Sequence, residues 1–372
     1  DKNSPLFDWP YSSIAFDKNG TLWAGNFMTG LYSFNGSTWE KYSEYNTDLL
    51  DDDINDLMFD ANNNLWIATD KGISVYDGTK FTTYDTNNTT MNGEAVYALG
   101  MDKQNNISAS TSNGSSSISG ISVFDGNDWS NLSGFPSQIE KGKFSEIVFA
   151  SNNDVWIASD PGITKYSNTT FDFYPRAYTG LWRSASIAID ANENIWAVGY
   201  DGILKYDGTI WNTVESKTLG LQSNISYNKI FAEGDYLWLA TSAGLLKYNT
   251  LTQKIEETFN SSNSPLESNS IIDIKKDAKG NMWLATGSGI AMMHFGGTAV
   301  KPATYLSNRI SVYPTPSQGI LNLNISDLKG DLNIEVTDLT GRKLFSENLN
   351  SGNQVHSFNL SAFAKGMYLL NI

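Results

Sequence analysis

Short apolar runs alternate with polar turns along this chain, and the same order of runs recurs along most of its length. Each copy starts with an alternating apolar run that ends in Asp, such as SSIAFD or NDLMFD. A Trp-centred run such as LWIAT follows, then a run such as GISVYD and an aromatic-led run such as FTTY. Runs of about 4–6 residues between Gly, Asn and Asp turns predict antiparallel strands joined as a meander.

Seven copies of this unit follow one another at steps of 40–49 residues. Ile107 takes the Trp place in one copy, NNISAST, and the other six centre on Trp23, Trp66, Trp156, Trp196, Trp238 and Trp283. A period of about 40–50 residues is typical of a four-stranded propeller blade, whose apolar faces need a neighbour on each side. We therefore predict an all-β fold, with a seven-bladed β-propeller over residues 1–297 and the Trp series packed between blades.

The two ends of the propeller segment together predict how the circle of blades closes. The seventh copy, residues 269–295, has three strand-like runs and no aromatic-led fourth. Residues 5–9, PLFDW, resemble the fourth-strand run FDFYP at residues 171–175. We expect residues 5–9 to supply the fourth strand of blade seven.

The C-terminal part has a different pattern. Residues 298–307 follow Gly296-Gly297 and include Pro302, which is typical of a linker. Residues 308–372 alternate apolar and polar positions, with a turn at Thr340-Gly341 among others. This predicts a small, Ig-like β-sandwich.

Composition narrows the function classes. The chain has 372 residues, is 13% aromatic and has no cysteine, so disulfides, thiolate metal sites and cysteine nucleophiles are excluded. Residues 301–372 hold six basic and five acidic residues and carry +1, so residues 1–300, with 19 of the 25 basic and 35 of the 40 acidic residues, carry −16, and the net charge of the chain is −15. An acidic propeller repels phosphate backbones, so we expect no nucleic-acid partner. No apolar run of about 18 residues occurs, so we expect no membrane span.

Residues 54–77 and 271–291 resemble the two-component-regulator propeller repeat, with its I-x-x-I-x-x-D-x-x-G-N-L-W-I-A-T-x-x-G-I-x-x-Y-D pattern. The resemblance covers nearly all of residues 1–297. It implies a sensor-type propeller of the kind that recognises glycans or pairs as dimers. This chain has one propeller and no kinase, so a sensing role would need a partner.

The tail resembles a second family, the type IX secretion C-terminal sorting domain of Bacteroidetes. The matching segments are VYPTP at 312–316, GILNL at 319–323, DLTGRKL at 338–344 and KGMYLLNI at 365–372. Thr315 stands where the family prefers Asn, and the family's last strand is missing. The resemblance implies that residues 308–372 engage the type IX machinery, and that the protein crosses the periplasm to the outer-membrane surface or the extracellular space.

Two groups of residues are candidates for ligand binding. The first, which we call the 176–183 group, lies on a predicted rim loop and combines two aromatic rings with two guanidinium groups: Arg176, Tyr178, Trp182 and Arg183. Aromatic faces stack on sugar rings, and Arg binds hydroxyls or carboxylates. Packing of Trp182 beneath its own loop is the alternative interpretation. Phe27, Met28 and Tyr200 are predicted on other loops of the same rim.

The second group, the channel ring, is found by aligning the first strands four residues before their ends: Ser13, Asp56, Ala98, Glu146, Ser186, Lys229 and Asp273. Polar residues at this place in apolar strands predict side chains that line the central channel. They either hydrogen-bond between blades or form an ion or substrate site. Asp56, Glu146, Lys229 and Asp273 are the candidate ligand-binding members.

The sequence gives little evidence for a metal site or a catalytic motif. The Asp that ends most first strands is followed by turn residues and lacks the ligand series of a calcium loop, so we interpret it as closing the turn, and we expect no metal or cofactor. The acidic run 48–56 is interpreted as a solvated face rather than a cation site. Streptogramin-type lyases share the seven-bladed fold and rely on a rim histidine, whereas His294 falls in a predicted strand.

Three functions therefore remain open. The favoured one is an exported surface module that binds glycan or protein ligands on the propeller rim. The alternatives are a polysaccharide lyase or glycosidase that uses channel carboxylates, and a purely structural or adhesion protein. Carboxylates about 5–10 Å apart would favour a glycosidase.

Overall fold

The computed structural model describes residues 10–113, 119–135, 144–179, 182–200, 202–221, 225–294, 310–313, 319–325, 332–338, 343–349, 354–363 and 368–371. The chain divides into two compact units, Asp1–Gly296 and Gly297–Ile372. The described residues contain two helices, an α-helix over Arg176–Thr179 and a 3-10 helix over Ser216–Leu219. All other elements are strands, so the predicted all-β fold is confirmed.

The first unit contains seven antiparallel sheets in chain order, which confirms the seven-bladed propeller. The first strands of blades 1–7 are Tyr11–Phe16, Ile54–Phe59, Ala95–Met101, Phe144–Phe149, Trp182–Ile189, Tyr227–Glu233 and Ile271–Lys276. The second strands are Leu22–Asn26, Leu65–Thr69, Ile107–Ser112, Val155–Ser159, Ile195–Tyr200, Tyr236–Thr241 and Asn281–Thr286. The third strands are Gly30–Phe34, Gly72–Tyr76, Ser119–Phe124, Gly162–Ser167, Gly202–Tyr206, Gly244–Asn249 and Gly289–His294. The fourth strands of blades 1–6 are Trp39–Tyr42, Phe81–Tyr84, Trp129–Asn131, Thr170–Pro175, Trp211–Glu215 and Lys254–Phe259.

Blade 7 has three strands within the described residues. Met292 on its third strand is 53% exposed. The predicted fourth strand, residues 5–9, and the predicted linker, residues 298–307, lie outside the described part of the chain.

The second-strand Trp residues pack against the next blade. Trp196 of blade 5 is 2% exposed and clusters with Tyr227 and Ile230 of blade 6, and Trp156 of blade 4 clusters in the same way with blade 5. In blade 3 the prediction was wrong by one residue: Ser108 lies opposite Gly100 as Trp66 lies opposite Met58, so Ser108 and not Ile107 takes the Trp place. An apolar residue precedes the Trp in every blade, and Ile107 fills that preceding position.

The Asp that ends a first strand organises the turn that follows. Oδ1 of Asp190 accepts hydrogen bonds from the backbone N–H groups of Asn192 and Asn194, both at 2.9 Å. Its Oδ2 accepts from Asn194 Nδ2 at 2.8 Å and from Trp196 Nε1 at 2.9 Å. The carboxylate thus ties the turn to the inter-blade Trp, because it offers acceptors to backbone and indole donors at once.

The described residues of the second unit form six strands in two three-stranded antiparallel sheets. One sheet contains Ile310–Tyr313, Ile320–Ile325 and Gln354–Asn359, and the other contains Lys343–Leu349, Leu332–Asp338 and Tyr368–Asn371. Phe345 and Phe358 join the two sheets, with ring centroids 5.6 Å apart.

Candidate functional site

Every first strand carries a β-bulge directly before its channel-ring residue. In blade 2, Ile54 pairs with Thr69 and Asp56 pairs with Ala68, so Asn55 is left over. The same shift occurs in the other six blades. A bulge bends the strand and redirects the side chain beside it, so this repeated irregularity sets the direction of the ring side chains.

The channel ring links neighbouring blades through their backbones. Five ring side chains accept a hydrogen bond from the backbone N–H that follows the ring position in the next blade. These bonds are Leu57 N to Ser13 Oγ at 3.2 Å, Leu99 N to Asp56 Oδ2 at 2.9 Å, Ile187 N to Glu146 Oε2 at 3.0 Å, Ile230 N to Ser186 Oγ at 3.1 Å and Ile14 N to Asp273 Oδ2 at 2.9 Å.

Blades 3 and 6 lack this contact because the side chains of their ring residues cannot accept a hydrogen bond. Ala98 has no polar side chain, and Ser110 Oγ acts instead: it accepts from Ala98 N at 2.8 Å and donates to the Phe144 carbonyl of blade 4 at 3.4 Å. Lys229 of blade 6 offers only donors. Its Nζ reaches back two blades to Glu146 Oε1, at 2.7 Å.

The ring carries uneven charge. The side chains of Lys229 and Glu146 are 20% and 15% exposed. Burial alone would lower the pKa of Lys229, but the carboxylates of Glu146, Asp273 and Asp56 together outweigh burial and raise it. Burial raises the pKa of Asp56, and the charge of Asp273 adds to this, while Lys229 and Lys275 offset part of the shift.

Ser13 Oγ lies 3.1 Å from Asp56 Oδ1 and 3.3 Å from Asp273 Oδ2, so two carboxylates converge on one hydroxyl.

A cavity of 340 Å³ adjoins the ring on the first strands of blades 4–7. Glu146, Lys229 and Lys275 contribute charged groups, and the rest of the lining is apolar, including Val148 and Phe231. The charged groups of the channel are therefore largely used to join blades, beside a mostly apolar wall.

The 176–183 group lies where blade 4 leads into blade 5. Arg176 is half-buried and Tyr178 is on the short helix Arg176–Thr179. Trp182 and Arg183 begin the first strand of blade 5, where Trp182 pairs with Tyr200. The side chains of Tyr178, Trp182 and Arg183 lie outside the described residues. Ser186 of the channel ring follows Trp182 by four positions, roughly 13 Å along a strand, so the two predicted groups occupy separate levels of the propeller.

We call the face on which the first strands begin the loop face and the opposite one the turn face. Three aromatic side chains of the described residues are exposed by more than a third: Phe27 at 41%, Tyr45 at 87% and Tyr200 at 39%. Phe27 and Tyr200 lie at second-to-third-strand loops and Tyr45 follows a fourth strand, so all three are on the loop face. Met28, beside Phe27, is 65% exposed.

The acidic run 48–56 is also on the loop face and is partly neutralised from the neighbouring loop. Lys71 Nζ pairs with Asp51 at 3.0 Å and with Glu44 at 3.1 Å. Burial raises the pKa of Asp53, and the nearby carboxylates of Asp51 and Asp70 raise it further. This part of the face therefore keeps an excess of negative charge.

Two protein families match separate segments of the chain. Residues 48–71 and 265–288 match the two component regulator propeller family. Residues 311–372 match the secretion system C-terminal sorting domain family. The chain thus carries two-component-regulator propeller repeats and a type IX sorting domain. No curated protein matches the sequence.

Several solved structures share the fold. PorZ, described as an essential bacterial surface component of the type IX secretion system of Porphyromonas gingivalis, matches with a TM-score of 0.64 and 19% identity over 94% of this chain and 55% of its own. The extracellular domain of the hybrid two-component system BT4673 from B. thetaiotaomicron matches at 0.62 and 17%, over 87% and 44%. Virginiamycin B lyase from Staphylococcus aureus matches at 0.63 and 13%, over 78% and 98%. The chain spans about half the length of the first two.

The sorting domain indicates export to the cell surface or outside the cell. Within the described residues, no helix has the length and apolar character needed to cross a membrane.

Proposed function

We propose that this protein is an exported surface module whose propeller binds a glycan on its loop face. One observation carries the proposal: the exposed aromatic rings of the described residues, Phe27, Tyr45 and Tyr200, are all on that face. Exposed rings are costly to leave in water and are the groups on which sugar rings stack. The turn face exposes aliphatic side chains instead, such as Leu251.

The neighbourhood of Tyr200 is the favoured centre of the site. Its backbone pairs with Trp182, and Arg176 lies on the helix just before that strand. An exposed ring, with a guanidinium group on the segment that leads into the neighbouring strand, would suit a sugar that carries hydroxyls or a carboxylate. The repeats and the sorting domain are consistent with a receptor that is displayed outside the cell.

A glycan array probed with the full-length protein tests this proposal. Tyr200→Ser, Trp182→Ala and Arg176→Ala should each weaken binding by about fivefold or more, which corresponds to about 1 kcal/mol for one stacked ring or ion contact. Leu251→Ser, at a more exposed apolar position on the turn face, is the control and should leave binding unchanged. No binding to any glycan would shift the proposal to protein ligands or to a structural role at the surface.

A polysaccharide lyase or glycosidase is the second candidate, favoured by the convergence of Asp56 and Asp273 on Ser13. However, Asp56 and Asp273 already accept backbone N–H groups from the next blade, which favours a structural role for them. Incubating any bound glycan with the protein and assaying new reducing or unsaturated ends separates the two. New ends that disappear in Asp56→Asn would support catalysis.

A further inference from the structure

A cleft of 450 Å³ separates the outer strands of blades 2 and 3, away from the channel and from the 176–183 group. It is formed by the end of the fourth strand of blade 2, by the loop that follows, and by the turn that leads into the fourth strand of blade 3. Among its lining residues are Tyr84, Asn87, Thr90, Asn127, Asp128 and Trp129. Its volume is within the range of about 300–1,000 Å³ that small-molecule sites occupy.

The lining chemistry selects one class of ligand. Carboxamides and threonine hydroxyls surround the rings of Tyr84 and Trp129, and the described lining has one carboxylate, Asp128, and no basic residue. An anion would meet Asp128 and the acidic propeller with no cation to pair with. A wholly apolar ligand would leave the amides and hydroxyls without partners, at a cost in free energy. A neutral molecule with many hydroxyl groups fits both conditions.

The wall of the cleft is fixed by hydrogen bonds. Asp85 Oδ1 accepts from the backbone N–H groups of Asn87 at 2.7 Å and Asn88 at 3.0 Å. Thr90 Oγ1 donates to the Trp129 carbonyl at 2.6 Å and ties the blade 2 loop to blade 3. A wall held in this way loses little conformational freedom when a ligand binds.

Comparison with blade 2 shows which groups are left for a ligand. The same turn there reads Asp77-Gly78-Thr79-Lys80-Phe81, and Thr79 Oγ1 donates to Asp77 Oδ1 at 2.6 Å. In blade 3 the turn reads Asp125-Gly126-Asn127-Asp128-Trp129. Only backbone N–H groups of Asn127 and Asp128 bond to Asp125, so within the described part of the chain their side chains stay unpaired. Trp129 forms the floor of the cleft; it is 8% exposed and its Nε1 is buried, so it offers a ligand little more than a ring edge.

We infer that this cleft is a second carbohydrate site, which takes a neutral oligosaccharide through Asn127, Asp128 and the partly exposed ring of Tyr84. It is independent of the loop-face site, because it shares no residue with it. A propeller with two such sites would hold a long glycan at two points, which strengthens attachment to a polymer more than to a short fragment.

The test is calorimetric titration of the full-length protein with maltotetraose, cellotetraose, xylotetraose and mannotetraose. At least one should bind, and Asn127→Ala and Asp128→Ala should each weaken it by about fivefold or more, because each removes a side-chain hydrogen-bonding group. Lys80→Ala, at the turn position in blade 2 that corresponds to Asp128, is the matched control and should stay within about twofold of the unmodified protein. Asn127 and Asp128 are both exposed, so neither variant disturbs the core.

Two results would overturn the inference. One is no binding of any of the four sugars at about 10 mM. The other is binding that Asn127→Ala leaves intact but Tyr200→Ser abolishes, which would keep the proposed loop-face site and remove this one. Binding that Tyr200→Ser leaves intact and both cleft variants weaken supports the cleft even if the loop face binds nothing.

Discussion

Asp273 in blade 7 accepts a hydrogen bond from the backbone N–H of Ile14 in blade 1 at 2.9 Å, across 259 residues of sequence. Asp273 is 3% exposed and also accepts from its own neighbour, Ile274 N, at 2.8 Å. This bond joins blade 7 to blade 1 in the same way as the other ring contacts join successive blades around the channel. The last blade is thereby fastened to the first at the centre of the ring.

Asp273→Ala should therefore lower the free energy of unfolding by about 2–4 kcal/mol, because it leaves buried N–H groups without an acceptor. Urea denaturation measures this. Asp273→Asn keeps one acceptor oxygen and should lose less. Asp235→Ala, an exposed position outside the ring, should stay within about 0.5 kcal/mol of the unmodified protein. Equal stability of Asp273→Ala and Asp235→Ala would contradict the role of the ring in closure.

Lys229→Met should destabilise the propeller by about 3–5 kcal/mol at pH 7, because it leaves buried carboxylates without their cation. The pKa of Lys229 is raised, so its contribution is complete below 10.5 and is constant between pH 5 and 8. The pKa of Asp56 is raised as well, so its protonation adds stability as the pH falls towards 3.8.

The deficit of Lys229→Met should consequently shrink between pH 7 and pH 4, because Asp56, whose pKa is raised, takes up a proton and no longer needs the cation. Denaturation curves at both pH values compare the variant with the unmodified protein. A loss of stability of the same size at both pH values would mean that Lys229 stabilises the propeller through the packing of its methylene groups rather than through its charge.

The aspartates that end the first strands should contribute unequally to stability, depending on whether each accepts a hydrogen bond from the Trp of its own blade. Asp190 accepts from two backbone N–H groups, from Asn194 Nδ2 and from Trp196 Nε1. Asp17 accepts from two backbone N–H groups alone, and Trp23 Nε1 has no partner in the described structure. Asp190→Ala should thus cost about 1–2 kcal/mol more than Asp17→Ala, measured by urea denaturation. Equal losses would show that the indole bond adds nothing.

The proposal that residues 5–9 complete blade 7 is tested by deleting residues 1–9. The third strand of blade 7 exposes 53% of Met292, and a fourth strand would cover it. The deletion should lower the melting temperature by at least about 5 °C. Deleting residues 1–4 alone is the control and should have little effect. An unchanged melting temperature in both would remove the proposal.

The repeat made the seven blades and the channel ring predictable, because a polar residue at one place in successive apolar strands has a periodic signature. The bulge that aims each ring side chain has no such signature, since it depends on how two strands pair. Strand register also explains why the sequence pattern assigned Ile107 to the Trp position of blade 3, which Ser108 occupies in the structure. Ser110 was missed because it replaces Ala98 from a different strand.

The cleft between blades 2 and 3 could not be predicted either. Trp129 looks like any other aromatic residue that opens a fourth strand, and Asn127 looks like a turn residue. What distinguishes them is the loop of blade 2 that lies against them, and this adjacency arises only when the blades stack. The 176–183 group was predicted from residue type, and its proposed role rests on Tyr200, which pairs with Trp182 and is 39% exposed.

Hydrogen–deuterium exchange of the full-length protein, with and without the glycan that binds most tightly on the array, tests the central claim most directly. We predict slower exchange on the loop face around residues 182–184 and 199–203, with the turns at residues 60–64 and 190–194 unchanged. Protection confined to the turn face or to the channel ring, with none near Tyr200, would contradict the loop-face site.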